Sequence, residues 1–373
     1  MPVLSGDTFG NARAEQPSLL DAPELLETTS GRIAIAEVVR LLGIGAGESV
    51  LMPAYHCTTM VDPIDWLGVR PRYYRLRTDL RVDIEDIKAN IDDTTRALLV
   101  VHYFGFPQQM DRLRALCDEY RISLIEDCAH AMFGQWLGRP IGSYGDYAIG
   151  SFPKFFATPE GGCIATWRHD ALPKQRAGSF LFELKTFMDA IEVATQYARL
   201  PALKWLIDAK VAIRKVGGRP VRQVPTGRAV PDSAEGGTEF EPEWLGVRCS
   251  WTSRAVIQRS DMKRVTDRRR DHFERLLEHF DGTPGCHPLH HELEENVVPY
   301  MFPLCIDKGA EVYAELRRRS VPVYRWDSLA TDRCPVSNSY AQNLVQIACH
   351  QELGEAEVEW IAEEVRGTIN SAR

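Results

Sequence analysis

Short apolar runs alternate with amphipathic stretches from residue 30 onward, and this alternation most constrains what the chain can fold into. Buried strands separated by helices of this length are typical of a mostly parallel sheet that is covered by helices on both faces. We therefore predict an α/β fold with such a sheet. The predicted strands are 49–53, 72–76, 97–101 and 123–126, and the predicted helices between them include 83–91 and 110–120.

The 373 residues are enough for two domains of unequal size. Residues 1–250 are predicted to form the large domain, within which 165–245 is an atypical insertion of helices and loops. Residues 251–373 are predicted to form a smaller C-terminal α+β domain. Its first element, 251–280, is expected to be one long Arg-rich helix.

The charge and the hydropathy pattern exclude several classes of protein. A net charge of −8 argues against nucleic-acid binding, because that function needs a basic surface to displace counterions from phosphates. No apolar run is long enough for a transmembrane helix, and the first residues do not show the basic-then-apolar pattern of a secretion signal. A cytoplasmic protein is expected.

Neither the cysteines nor the histidines show the spacing of a metal site. The nine cysteines contain no C-x-x-C pair, which argues against a zinc ribbon or a disulfide framework. His287, His290 and His291 lie close together in a loop that contains Pro and Gly, without ligands at matching spacing. No metal is predicted.

Asp127 ends the apolar run of LIEDCAHA, at the carboxyl end of a predicted strand. Ligands bind at that end of the strands in open α/β sheets. Asp127 is therefore a candidate for a metal ligand, a general base or the partner of a cationic ring. Taken alone, it is more simply explained as the cap of the next helix.

Lys154 lies among the apolar neighbours of SFPKFFATPEGG. An apolar environment disfavours the ammonium form and makes the amine a better nucleophile. The alternative is a lysine whose stem is buried and whose charge reaches solvent.

The turn TTSGRIAI opens a predicted helix, whose free amides and dipole suit a phosphate. The three features together match the needs of pyridoxal 5′-phosphate (PLP): a phosphate site, an acid for the pyridine nitrogen and a lysine for the aldehyde.

These motifs also resemble the DegT/DnrJ/StrS family of PLP-dependent aminotransferases of fold type I. The resemblance covers nearly the whole chain and is densest over 30–166. The matching stretches are SGRIAI, LLGIGAGESVLMPAY, VVHYFGFPQQMD, LIEDCAHAMFG, GRPIGSYGD and the K-x-x-x-x-x-E-G-G of Lys154–Gly162. The resemblance implies a large domain with a mostly parallel sheet and a small C-terminal domain, PLP as the cofactor, and a homodimer.

Site roles follow from the resemblance residue by residue. Lys154 takes the place of the lysine that holds PLP as a Schiff base, and Asp127 that of the partner of the pyridine nitrogen. His130 stands where the family usually has Gln. The implied phosphate site comprises Gly31, Arg32 and Ser151. Cys57 stands among the cofactor-binding residues at the place of the family's stacking aromatic, so Tyr55, His56 or His130 is expected to stack on the cofactor instead.

The chain departs from the family pattern at several of these positions. Ser151 and Lys154 are closer together than is usual, so the turn between them is expected to be rebuilt. Arg32 replaces a Thr, and Cys57 occupies the place of the stacking aromatic. Gly246 stands where the family has the Asn that reaches the partner subunit's phosphate, a loss for which Arg32 can compensate.

The resemblance implies an aminotransferase that moves an amino group from an amino acid, glutamate by analogy, to a keto or aldehyde acceptor. A sugar or nucleotide-sugar acceptor is the family's default. One alternative is a PLP-dependent dehydratase or lyase, although family dehydratases have His in place of the lysine. The other is a non-catalytic sensor or scaffold.

Residues 180–222 combine apolar helical spacing with a basic tail. They are expected to pack onto the large domain and a dimer partner. The alternative is an exposed apolar surface for peripheral contact with an anionic membrane.

Overall fold

The computed structural model describes residues 1–203, Ile207, 240–326 and 334–373. The larger sheet of the described residues has seven strands in the order β1-β9-β8-β5-β4-β2-β3. Strands β3, β2, β4, β5 and β8 run parallel. Strand β9 pairs antiparallel with β8, and β1 pairs antiparallel with β9, so β1 runs in the same direction as β8. The strands are β1 (Glu24–Thr28), β2 (Ser49–Pro53), β3 (Arg70–Tyr74), β4 (Thr95–Val101), β5 (Ser123–Asp127), β8 (Tyr147–Ser151) and β9 (Gly162–Thr166). A separate hairpin pairs β6 (Gln135–Trp136) with β7 (Arg139–Pro140).

Three helices of the first 203 residues begin at local capping signals. Ser30, Asp83 and Ser179 each accept a hydrogen bond at the start of a helix, which pairs an amide that the helix leaves free. The first helix packs its apolar residues onto β8 and β9. The helices are α1 (Gly31–Leu41), α2 (Asp62–Trp66), α3 (Ile84–Asn90), α4 (Met110–Tyr120) and α5 (Phe180–Gln196).

A second, antiparallel sheet forms after residue 280, with the strand order β10-β11-β13-β12. Its helices bury Phe273, Leu316 and Ile361 in a core against it. The strands are β10 (Cys286–Pro288), β11 (Met301–Ile306), β12 (Val323–Tyr324) and β13 (Leu344–Ala348). The helices are α6 (Trp251–Arg259), α7 (Met262–Phe280), α8 (Gly309–Arg318), α9 (Pro335–Asn343) and α10 (Glu355–Ala372).

The two sheets share packing. Met301, Trp326 and Leu344, from the second sheet and its loops, belong to the same buried cluster as the strands of the larger sheet. Hence residues from the C-terminal part of the chain reach the edge of the larger sheet, where the site lies.

The structure confirms the predicted α/β fold with a mostly parallel sheet flanked by helices. The expected single helix over 251–280 is wrong, because extended backbone at Ser260 interrupts it and Asp261 caps a new helix. The domain boundary at residue 250 stays a prediction. Of the segment 180–222, residues 204–206 and 208–222 lie outside the described residues. None of the described helices has the length and apolarity to cross a bilayer.

Candidate active site

The parallel strands β2, β4, β5 and β8 end at one edge of the larger sheet, and the predicted site residues follow them there. Asp127 pairs with Ile149 in the ladder, so Asp127 and the Ser151–Lys154 turn lie on neighbouring strand ends. Residues 54–57 follow β2, and 102–104 follow β4. Parallel topology therefore collects residues that are distant in the chain.

The Asp127 carboxylate is 3% exposed. Its Oδ1 accepts a hydrogen bond from the amide of Ala129 at 2.9 Å, which also makes it the cap expected from the sequence alone. Burial raises the pKa of Asp127, and the charge of Lys154 opposes that rise. Among the described residues no hydrogen-bond donor reaches Oδ2, so this oxygen is available to a ligand.

Lys154 ends a short 3₁₀ turn that begins at Phe152. Burial lowers the pKa of the Lys154 amine, and the nearby Asp127 acts in the opposite direction. Its Nζ lies 5.5 Å from the ring centroid of Tyr300. Asp127 and Lys154 are therefore a buried acid and a partly exposed amine that interact electrostatically.

The loop after Lys154 is anchored to α6. One oxygen of Glu160 accepts hydrogen bonds from the amide and hydroxyl of Ser250, at 3.0 and 2.7 Å, and from the hydroxyl of Ser253 at 2.6 Å. Phe155 and Phe156 are fully buried beneath the turn. The turn that carries Lys154 is thus packed on buried aromatic rings and followed by an anchored loop.

His130 is buried and stacks on Tyr300, with ring centroids 4.4 Å apart and planes inclined by 24°. Its Nδ1 accepts a hydrogen bond from the amide of Phe104 at 3.5 Å. Burial first, and Lys154 second, lower the pKa of His130, which favours a neutral ring. His130 is therefore in the same electrostatic environment as Lys154.

The N-terminus of α1 lies against the ends of β8 and β9. Ser30 caps it by accepting from the amide of Ile33 at 3.3 Å. A Cβ on Gly31 would lie 3.7 Å from the Cβ of Ser151, so that hydroxyl is beside the first turn. A Cβ on Gly162 would come within 2.7 Å of the Gly31 nitrogen, so only glycine permits this approach. The structure thus brings Gly31 and Ser151 together, as a phosphate site requires.

Arg32 lies on the same turn, close enough to an acidic residue to act on its pKa. It acts electrostatically on Asp62, whose pKa it lowers against the rise caused by burial. It also lines a small recess with Phe240 and Trp244. The Gly246 amide donates to Glu37 of α1 at 2.7 Å, so the segment that lacks the family Asn is bound to its own chain.

The three cofactor-binding residues predicted after β2 have different surroundings. The Tyr55 ring is buried against Tyr103 and Trp326, at centroid distances of 5.8 and 5.1 Å. His56 stacks on Tyr73 of β3 at 5.0 Å. Of these three residues, Cys57 is the one that acts electrostatically on Lys154, whose pKa it raises.

Sequence reasoning missed four aromatic residues at the site: Tyr103, Phe104, Tyr300 and Trp326. The rings of Phe104 and Trp326 lie 5.7 and 5.3 Å from that of His130. The aromatics of VVHYFGFP directly follow a predicted strand and could have indicated the first two. Nothing in the local pattern pointed to Tyr300 or Trp326, which come from the C-terminal part.

One group of three potential metal ligands occurs among the described residues: His102, Glu126 and Cys128. The Glu126 carboxylate already accepts from the amides of Gly142, Tyr144 and Gly145 and contacts the His102 ring. It acts here as a structural anchor for the 142–145 turn.

The histidine cluster of the 287–291 loop is spread out. His290 stacks on Phe106. His291 is 3.9 Å from Asp281 on the surface.

Comparison with known proteins relates part of the chain to aminotransferases. Residues 14–179 match the DegT/DnrJ/EryC1/StrS aminotransferase family. The chain is 33% identical over 164 residues to the GDP-perosamine synthase of Vibrio cholerae, covering 43% of this chain and 45% of that protein. The alignments to its curated relatives thus span less than half of their length.

Two solved structures share the fold over most of the chain. The aminotransferase TlmJ from Streptoalloteichus hindustanus has a TM-score of 0.64 at 20% identity, covering 93% of this chain and 86% of that one. DesV of S. venezuelae, solved in complex with a ketimine intermediate, has a TM-score of 0.63 at 20% identity, covering 92% of this chain and 84% of that one. These likenesses show the fold. The match to the DegT/DnrJ/EryC1/StrS aminotransferase family thus covers the part of the chain that carries Asp127, Lys154 and the first turn of α1.

Proposed function

We propose that the protein is a PLP-dependent aminotransferase that moves an amino group from an amino acid to a keto or aldehyde acceptor. The observation that carries the proposal is the pairing of the buried Asp127 with the partly exposed Lys154 at the carboxyl edge of the sheet. Removing ionisable groups from water costs stability unless they have a function or a ligand that uses them.

The residues present fit PLP. Asp127 would bind the pyridine nitrogen through the oxygen that no described donor reaches. The amides of the first turn of α1 and the Ser151 hydroxyl would bind the phosphate, at the point where Gly162 lets the two backbones approach closely. When bound, PLP supplies an aldehyde that condenses with amines and a ring that accepts electrons.

The chain's own groups would then control two protons. The Asp127 carboxylate would hold a proton on the pyridine nitrogen, since a buried carboxylate is stabilised by an adjacent cation. Lys154 Nζ, with a pKa lowered by burial, would carry a proton to and from the substrate carbon. The neutral His130 ring would pack beside the cofactor.

A sugar or nucleotide-sugar acceptor and glutamate as donor are further parts of this proposal. The name of the Vibrio cholerae relative supports a nucleotide-sugar product. A cytoplasmic location is supported by the nine cysteines, which are all free thiols.

We also propose a homodimer. On α5, Phe180 and Leu181 are 78% and 75% exposed, and Leu184 is 47% exposed. Exposed apolar side chains grouped on one helix are typical of an interface. A second copy of the chain would cover this face.

The test is a single-turnover assay. The protein loaded with PLP is mixed with a panel of amino acids, and the 2-oxo acid formed is measured against enzyme concentration. We expect about one oxo acid per site from one donor class, and none from Lys154→Ala. Failure of every donor to give oxo acid would contradict the aminotransferase assignment.

A further inference from the structure

Arg269 lies in α7 and is fully buried, although its neighbours Arg268 and Arg270 reach the surface. It occupies the apolar face of the helix, between Val265 and Phe273. An arginine in this position replaces an apolar side chain at the price of desolvating its charge.

The guanidinium donates to four oxygens from three segments of the chain. Nη2 reaches the carbonyl oxygen of Lys154 at 2.7 Å, and Nε reaches Oε1 of Gln351 at 2.9 Å. Nη1 reaches the carbonyl oxygens of Pro299 and Tyr300 at 3.2 and 3.1 Å.

Gln351 completes a second contact with the lysine turn. Its Nε2 donates to the carbonyl oxygen of Phe155 at 2.7 Å. The Arg269 guanidinium also lies 4.4 Å from the Phe155 ring centroid. Two consecutive carbonyl groups, those of Lys154 and Phe155, are therefore held from the C-terminal part of the chain.

No carboxylate lies within hydrogen-bond distance of Arg269 in the described parts of the chain, and burial lowers the pKa of the guanidinium to about 10. It therefore stays charged at neutral pH. Such a charge is retained at a cost in stability, which a well-packed apolar residue would avoid.

The two backbones that Arg269 holds carry side chains that meet at the site. The Tyr300 ring stacks on His130 at 4.4 Å, and Lys154 Nζ lies 5.5 Å from the same ring. We propose that Arg269, with Gln351, is a positioning residue that fixes the Lys154 turn relative to Tyr300 and His130. The catalytic meaning of this role rests on the proposed function.

The variants are chosen to separate positioning from general stability. Arg269→Lys keeps the charge, but an ammonium has three donors for four acceptors and no planar fork. Gln351→Glu keeps the acceptor for Arg269 and removes the donor to Phe155. Arg275→Lys, on the same helix, is the matched control, since Arg275 pairs with Asp271 and Glu355 at the surface.

The readouts use the apoprotein first. Competitive acetylation of Lys154 at several pH values, followed by mass spectrometry, gives the pKa of its amine. In Arg269→Lys we expect this pKa to rise by about one unit toward the ordinary lysine value, because the turn loosens and admits water. Amide exchange of the peptide 150–158 should become about tenfold faster, and both values should stay unchanged in Arg275→Lys.

The loaded enzyme gives the second comparison. We expect kcat of Arg269→Lys to fall by about tenfold, while KM for the amino donor changes much less. The proposal would be overturned if the Lys154 pKa and the amide exchange of peptide 150–158 kept their wild-type values in both Arg269→Lys and Gln351→Glu. If Arg269→Lys does not fold, the same two measurements on Gln351→Glu decide the question. Absence of amino transfer in the wild type would contradict the proposed function, but the apoprotein comparison would remain valid.

Discussion

Asp127 and Lys154 lie at the ends of neighbouring parallel strands, and each opposes the effect of burial on the pKa of the other. Burial alone disfavours the charged form of both groups. Their mutual attraction favours the charged forms, so the apoprotein keeps an acid and an amine poised for a ligand that takes both. The predictions below test this pair and the elements around it.

The first prediction concerns Lys154→Ala. Reduction with borohydride should attach PLP covalently to the wild-type peptide that contains Lys154, and no attachment should occur in the variant. Circular dichroism should show an intact fold, since the side chain ends a turn whose packing comes from Phe152 and Phe155. Lys185→Ala, at an exposed position of α5, is the control. Label on another lysine would contradict the assignment.

The second prediction concerns Asp127→Asn. The amide keeps the size of the side chain but does not stabilise a proton on the pyridine nitrogen. We expect PLP to bind, while the rate of the half-reaction with the amino donor falls by about 10²-fold or more. Stopped-flow absorbance at matched PLP occupancy measures it. A half-reaction at the wild-type rate would show that another group protonates the ring.

The third prediction tests whether Arg32 replaces the phosphate contact that the family takes from an Asn. Arg32→Thr should weaken PLP binding by about 1.5–3 kcal/mol, the magnitude of a charge-assisted hydrogen bond. Arg40→Thr, at an exposed position of α1, should leave the affinity unchanged. Fluorescence titration of the apoprotein gives both values. An unchanged affinity in Arg32→Thr would assign Arg32 to the acidic environment of Asp62 instead.

The sequence predicts the core of the larger sheet because β2 to β5 and their helices have local periodicity. It does not predict β1 and β9, which pair with each other from distant parts of the chain. The same distinction holds at the site. Asp127 and Lys154 show their chemistry through immediate neighbours, whereas Tyr300 and Trp326 reach the site only through tertiary packing. The sequence does indicate that Arg269 is unusual, because its spacing places it on the apolar face of α7.

The fourth prediction concerns acid stability. Burial lowers the pKa of His290 from 6.5 to about 4. The unfolded chain therefore takes up a proton as the pH falls below 6.5, whereas the folded protein does so only near pH 4, and stability is lost across this window. Relative to His290→Gln, the wild type should lose about 2 kcal/mol of unfolding free energy between pH 7 and pH 4.5. Urea unfolding at both pH values measures the loss.

The exposed His287 offers a matched control for that measurement, because His287→Gln should keep the wild-type pH dependence. Equal loss in His290→Gln and the wild type would show that the His290 ring is not the group responsible.

The last prediction concerns the apolar face of α5. If a second copy of the chain covers this face, the wild type should be a dimer in analytical ultracentrifugation. Leu181→Glu should raise the dimer dissociation constant by at least about tenfold, because a charge would be buried in the interface. Lys185→Glu, which changes charge on the same helix without removing apolar surface, should dimerise like the wild type. Flotation with anionic vesicles at low and moderate salt distinguishes the two possible partners of this face, a second copy of the chain and a membrane surface. A dimer that stays with the soluble fraction supports the homodimer, and a monomer that floats at both salt concentrations would assign the face to a membrane surface.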